Sequence, residues 1–355
     1  MASSQDANTS PPVKNIMILG ATGNIGNATL QAFLAHNTNN PTQPFTITVL
    51  TRTISHSQTI AQLPSNPNLQ ILPIDTYTNT TTLTTLLETH NIEVLISTIA
   101  TLSTDTQSHL ISACISSPTV RRFFPSEYGV DTSNPTKLAT HLPLALLKHE
   151  TVSQLRDAST KTQNRLTYSA LITGALFDWS LLLPGALAFN IPNNQVTTLD
   201  AGTHAYEATN LLTHGNAIVA CLSTPARFEA TANQYVRINS FSTTQNDVIS
   251  LIEEFTGRKM SRIDVSAKKF SADAITMMEG MGGLQGYRDY ESTPEVPYPP
   301  GSREMIWTAI FGGEVADGLN QYSREGLWNE RLGLEKEELR ETVRGVVEKL
   351  GLLKG

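Results

Sequence analysis

Four apolar residues, Ile16-Met17-Ile18-Leu19, run directly into Gly20-Ala21-Thr22-Gly23-Asn24-Ile25-Gly26 and then into a helix-forming stretch from Ala28 to Leu34. Few local patterns restrict a fold so tightly. A buried strand that turns at once into a helix needs one glycine for the turn, a second for close approach of backbone to a ligand, and a third for packing helix on sheet. The N–H groups that open the helix face an anion, so the spacing points to the pyrophosphate of a dinucleotide. Gly20, Ala21, Thr22, Gly23, Asn24, Ile25 and Gly26 are therefore candidate cofactor residues.

The strand-then-helix unit repeats through the first half. Strands are expected over Phe45–Thr51, Leu69–Ile74, Val94–Ala100 and Thr167–Ile172, with Arg122-Phe123-Phe124 opening another. Helices are expected over Thr80–His90, Asp105–Ser117 and Pro143–Lys161. This alternation predicts an α/β chain: a Rossmann-type doubly wound parallel sheet with a smaller C-terminal substrate-binding domain. The expected division is a polar, disordered tail over residues 1–12, an NAD(P)-binding domain over 13–180 and a substrate-binding region over 181–355. Part of the latter, about 234–241, reads as a strand that rejoins the sheet.

Other segments read more locally. Asn37–Pro44 reads as a loop insertion, and the Gly-, Pro- and Tyr-dense stretch Glu279–Ser302 as a loop, over a cleft or simply on the surface. Val248, Leu251, Ile252 and Phe255 have helical spacing, with Gly257 as a stop. A last helix over Glu335–Leu350 turns Leu339, Val343, Val346 and Val347 inward.

Composition limits the partners. The 355 residues carry a formal net charge of -7 and no long Lys/Arg run, which argues against nucleic acid. No apolar run approaches the roughly 20 residues of a membrane helix. The first residues lack the basic and apolar regions of a signal peptide. Cys114 and Cys221 are too few for a disulfide framework or a thiolate zinc site. The expectation is a cytoplasmic protein with a small-molecule substrate, no metal and no membrane; oligomeric state is left open. P-loop and serine-hydrolase signatures are both missing from the sequence, as is a His-Glu-x-x-His helix.

Cofactor identity is legible at the end of the second strand, where an acid would bond a ribose 2'-hydroxyl and an arginine a 2'-phosphate. The sequence there is Leu50-Thr51-Arg52. Arg52 offers a fork of donors suited to the phosphate of NADP(H), the alternative being an ordinary solvated side chain. Asp75 either sits near the adenine or caps its own turn. Ser97, Thr98 and Ile99 end the fourth strand, on the rim where ligands cross an open parallel sheet.

Lys148 falls on the apolar stripe of its helix with Leu144, Val152 and Leu155. Either its stem lies on apolar surface with the ammonium reaching water, or it is an inward amine tuned for acid/base work.

Arg121 to Asp131, reading Arg-Arg-Phe-Phe-Pro-Ser-Glu-Tyr-Gly-Val-Asp, brings a family into view when taken with the glycine turn, Thr51-Arg52, Leu95-Ile96-Ser97-Thr98 and Lys148. The chain resembles the isoflavone-reductase-like, or NmrA-like, branch of atypical short-chain dehydrogenases over nearly its whole length. Plant benzylic ether reductases of that branch carry Phe-Pro-Ser-Glu-Phe-Gly, and their catalytic lysine falls at Lys148. The resemblance implies NADPH, hydride delivery to a conjugated or benzylic carbon of an aromatic or polyketide-like molecule, and a lysine that handles the substrate proton. It also implies that Lys148 and Thr173 lie beside the cofactor and that Tyr128 faces the substrate. Phe177, with Trp179, forms either an aromatic wall for a flat substrate or ordinary core. The name-giving NmrA member offers another reading, a non-catalytic dinucleotide sensor that binds a protein partner. This chain departs from the plant pattern at Ala61, where a second cation is usual, at Ile172-Thr173-Gly174 in place of Asn-Cys-Phe, and at Thr213-His214-Gly215 in place of Asp-Ile-Gly.

Overall fold

A computed structural model of the chain describes residues 11–99, 104–290 and 298–354. The tail expected over 1–12 lies outside them, save for Pro11 and Pro12, as do Ala100 and residues 291–297. In the first half, β1 (Asn15–Leu19), α1 (Asn24–Asn39), β2 (Thr46–Arg52), α2 (His56–Gln62), β3 (Leu69–Ile74), α3 (Thr80–Thr89), β4 (Val94–Ser97) and α4 (Thr104–Ser116) alternate. They lead to β5 (Arg122–Phe124), α5 (Pro135–His141), α6 (Leu146–Lys161) and β6 (Thr167–Ile172).

The second half is less regular. It comprises β7 (Ala175–Leu176), α7 (Phe177–Leu182), β8 (Phe189–Asn190), β9 (Gln195–Leu199), β10 (Ala205–Thr209), α8 (Leu211–Leu222), α9 (Pro225–Ala230), β11 (Gln234–Arg237), β12 (Phe241–Thr244) and α10 (Gln245–Thr256). After these come β13 (Ser261–Val265), α11 (Ala267–Gly280), α12 (Gly283–Arg288), α13 (Ser302–Phe311), α14 (Asn329–Leu332) and α15 (Leu339–Lys349).

Seven strands pair in the order β11-β6-β5-β4-β1-β2-β3, every neighbouring pair parallel, the doubly wound Rossmann arrangement. The register sets Ile16, Met17, Ile18 and Leu19 against Val94, Leu95, Ile96 and Ser97. Alternation then sorts side chains by face: Ile16, Ile18, Val94 and Ile96 join the core under α1 and α8, while Met17, Leu19 and Leu95 join the core under α3, α4 and α6. Each of these fully buried chains contributes roughly 1.5–3 kcal/mol, so neither face tolerates a one-residue slip. Two three-stranded sheets, β12-β10-β7 and β13-β9-β8, build the second half around a separate core that includes Phe177, Tyr206 and Trp307.

Three local expectations are corrected. Helix α1 continues to Asn39, into the expected loop, because the Asn37 side chain is drawn inward: its amide donates to Phe45 O and its carbonyl accepts from Phe45 N, both at 2.8 Å. The helix expected from Pro143 starts at Leu146, after a short 3-10 turn over Pro143–Ala145. Part of the expected loop from Glu279 is the helix α12, anchored by the fully buried Tyr287, whose hydroxyl donates to Pro300 O. Elsewhere the Gly257 stop is found where it is expected. Asn79 accepts from Thr82 N to start α3, and Gly257 ends α10 at φ 68°.

Candidate active site

The glycine turn is shaped by one hydroxyl. Gly20 has φ 82°, where a side chain would be strained, and a Cβ there would stand 2.7 Å from Thr98 Oγ1. A Cβ on Gly26 would overlap the Gly20 carbonyl and approach the same Thr98 oxygen at 2.6 Å. Thr98 Oγ1 donates to Leu19 O at 2.6 Å, locking the end of β4 to the end of β1. Thr22, Gly23 and Asn24 are exposed above this packed base, and Ile25 is half-buried. No side chain caps α1, so its first N–H groups keep the orientation that suits an anion.

A cavity of about 550 Å³ opens beside the turn, and Gly20, Ala21, Thr22, Arg52, Asp75 and Ile99 all line it. The parallel register explains the meeting, since β1, β2, β3 and β4 end on one rim. Arg52 is exposed, and no ion pair involves it among the described residues. Asp75 accepts from Thr53 Oγ1 at 2.9 Å, which holds its carboxylate at the lip. Tyr77, not singled out by the sequence, lines the same cavity and donates its hydroxyl to Leu50 O at 3.2 Å. Burial holds the Tyr77 phenol up, with Arg52 acting in the opposite direction. A bare glycine turn, an uncapped helix start and a guanidinium at the far lip fit a dinucleotide with a 2'-phosphate.

Ser97 is fully buried beneath the rim and accepts from Gln107 Nε2 at 2.8 Å, so its hydroxyl braces α4. Ile99 links the cavity to the next strand, because its carbonyl accepts from Ser126 Oγ at 2.7 Å. One residue on, the Lys148 amine donates to the main-chain carbonyl of Glu127. It also lies 3.7 Å from where a Gly129 Cβ would stand. Lys148 is half-buried and turned inward rather than to bulk water, and burial lowers its amine from the ordinary range, opposed by the charge of Glu127.

Thr173 reaches the same segment from the other side, its N–H donating to Gly129 O at 3.1 Å. Its own carbonyl accepts from Thr209 Oγ1 at 2.5 Å, and the residue is fully buried. The expected substrate contacts need correction. Tyr128 is 5% exposed, and its ring meets His214 edge-on at 4.6 Å. Phe177 is wholly buried and meets Phe241 edge-on at 5.0 Å. Both rings are core, placed there by the apolar surface that helices α8 and α10 lay over them.

Glu127, quoted above only as part of a motif, is 1% exposed and lies between Lys148 and Thr132. The sequence carried a signal for it, a carboxylate directly after a strand as apolar as Phe123-Phe124-Pro125. Among the described residues no cluster of His, Cys, Asp and Glu could hold a metal ion, and no helix is long and apolar enough to cross a membrane.

Residues 12–289 match the NmrA-like family. The chain is 28% identical over 296 residues to a protein named oxidoreductase aprR from Aspergillus flavus, covering 78% of this chain and 91% of that one. It is 34% identical over 125 residues to phenylcoumaran benzylic ether reductase PT1 of Pinus taeda, covering 34% of this chain and 37% of that one. Among solved structures, an isoflavone reductase superposes with a TM-score of 0.65 at 18% identity, covering 95% of this chain and 99% of that one. A leucoanthocyanidin reductase–NADPH complex from Vitis vinifera superposes with a TM-score of 0.59 at 18% identity, covering 86% and 91%. Those likenesses bear on the fold, which they share with the seven-stranded sheet described above. The family match, spanning most of the chain, identifies it as a member of the NmrA-like family.

Proposed function

We propose that the chain is an NADPH-dependent reductase of a small aromatic or polyketide-like molecule, with Lys148 as its general acid/base. The observation that carries the reading is the inward amine of Lys148, tied through Glu127, Ser126 and Ile99 to the rim of the cavity beside the glycine turn. Relatives named oxidoreductases, and fold neighbours solved with NADPH or with NADP+ and pinoresinol, support it.

Gly20 to Gly26 would receive the pyrophosphate, Arg52 the 2'-phosphate and Asp75 the adenosine edge. Ser97 and Thr98 shape the rim and Ile99 would lie against the cofactor, whereas Thr173, fully buried with its N–H and carbonyl both engaged, supports the Gly129 segment instead. When bound, the cofactor supplies the hydride. The protein supplies the rest. Lys148 holds its proton at Nζ, beside a segment fixed by hydrogen bonds, and burial brings the amine toward a working range for proton transfer. Residues 181–355 would contribute the substrate side.

The test follows NADPH absorbance against a panel of enones, phenols and benzylic ethers. Lys148→Ala should leave NADPH affinity unchanged and lower turnover by roughly 100-fold or more. Undiminished turnover would remove Lys148 from the mechanism. NADPH binding without turnover of any member by the wild type would favour a dinucleotide sensor instead.

A further inference from the structure

Beside Lys148 stands a carboxyl that the reading above leaves without a task. Glu127 Oε2 accepts from Thr132 Oγ1, and Oε1 has no hydrogen-bond partner among the described residues. An ionised carboxylate buried with a bare oxygen persists only when a cation lies close. The Lys148 ammonium supplies that cation: it donates to the main-chain carbonyl of Glu127, and from there its charge acts on the carboxylate of the same residue without a direct ion pair.

The other groups facing Glu127 add no second cation. Asp131, from the following loop, repels it and is itself bound by Arg237 of β11 at 2.6 Å. Tyr128 on the same segment and Tyr235 on β11 are phenols held neutral, pushed up by burial and then by Glu127. His149 on α6 faces Thr132 O at 2.8 Å. Burial drives both members of the central pair toward neutrality, pushing the Glu127 carboxyl up to about 6 and the Lys148 amine down. Their mutual attraction opposes both shifts.

We propose that Glu127 is a positioning residue that fixes the charge of Lys148: its carboxylate keeps the half-buried amine protonated at neutral pH, and its carbonyl aims it. The inference deepens the reductase reading, and rests on Lys148 being the proton donor. It separates two tasks on one residue, since substitution of the side chain leaves the aiming carbonyl in place.

Competitive labelling with acetic anhydride across the neutral and alkaline range, read by mass spectrometry on the Lys148 peptide, gives the apparent pKa of that amine without any substrate. Glu127→Gln should lower it by about one unit or more, the scale for loss of an adjacent opposite charge. Glu127→Asp should restore most of the difference. An unchanged midpoint in Glu127→Gln overturns the proposal. A reciprocal measurement does not depend on that variant folding. Lys148→Met should leave Glu127 without its cation, so that infrared spectra at neutral pH gain the C=O band of a buried protonated carboxyl. Absence of that band also overturns the proposal. Failure of the reductase reading itself shows elsewhere, as NADPH binding by the wild type without turnover of any member of the panel.

Discussion

The carboxyl rim of the main sheet has two ends built in opposite ways. Around β1 and β2 the backbone is bare: Thr22, Gly23 and Asn24 are exposed, and Arg52 reaches over a cavity of about 550 Å³. Around β5 and β6 the polar groups turn inward, and Glu127, Tyr128 and Thr173 are all buried. The first end offers a ligand uncapped main-chain N–H groups and one guanidinium. At the second end, side chains have displaced solvent from one another, and their charge depends on two or three neighbours. The first end is thus open to a ligand, whereas the second sets the charge of its own groups.

The largest expected departure concerns His214, on α8 behind the closed end. Its Nε2 lies 3.2 Å from Thr29 Oγ1, its Nδ1 has no partner among the described residues, and burial pushes the imidazole down to about 3. A base whose folded pKa is depressed adds stability above its unfolded pKa, near 6.5, and loses it as pH falls toward the folded value. The loss should reach about 3 kcal/mol by about pH 4. His214→Leu should flatten that acid limb in urea denaturation series. A slope identical to wild type would mean that another group carries it.

Arg52→Ala acts on the open end. Calorimetry should show NADPH affinity falling by about 2 kcal/mol, roughly 30-fold, with NADH nearly unaffected, because only NADPH offers the charged oxygens. Equal losses for both would return Arg52 to the role of a solvated side chain. The smallest change returns to the closed end. Tyr128 has a buried hydroxyl with no partner among the described residues. Tyr128→Phe should therefore leave stability unchanged or raise it by up to about 1 kcal/mol, read as a small rise in melting temperature. A clear drop would reveal a bond to that oxygen and make the two ends less different than they look.

Legibility in the sequence follows the same division. The glycine turn, Arg52, Asp75 and Ile99 could be placed on one rim because parallel strands with short turns leave little freedom in where their ends fall. The core strands were readable because they are continuously apolar, as in Ile16 to Leu19. In the second half, β8 has two residues and β13 is mostly exposed, with Ser261, Arg262, Ile263 and Asp264 all open to solvent. Such strands exist through pairing with β9, which for β13 lies about 66 residues away in sequence, and their own composition carries no alternation to detect. Tyr128 and Phe177 show another limit. An aromatic ring after a strand looks the same in sequence whether it faces a ligand or a neighbouring helix. The departure from the plant pattern at His214 and the expected substrate contact Tyr128 proved to be one feature, since their rings touch. Only the packing of α8 against α1 and against Tyr128, in the segment after β5, could reveal that.

Thr98 carries a consequence for how this protein can vary. Its single hydroxyl sits where methyl groups on both Gly20 and Gly26 would have to go, while tethering Leu19. The three positions, nearly eighty residues apart along the chain at their extremes, thus form one steric unit. Trimming the threonine would free neither glycine, because the Gly20 carbonyl blocks a Cβ on Gly26 and Gly20 itself is held at φ 82°, and it would slacken the join between two central strands. Backbone as well as side chain confines these positions, and homologues should keep both glycines even where the threonine changes.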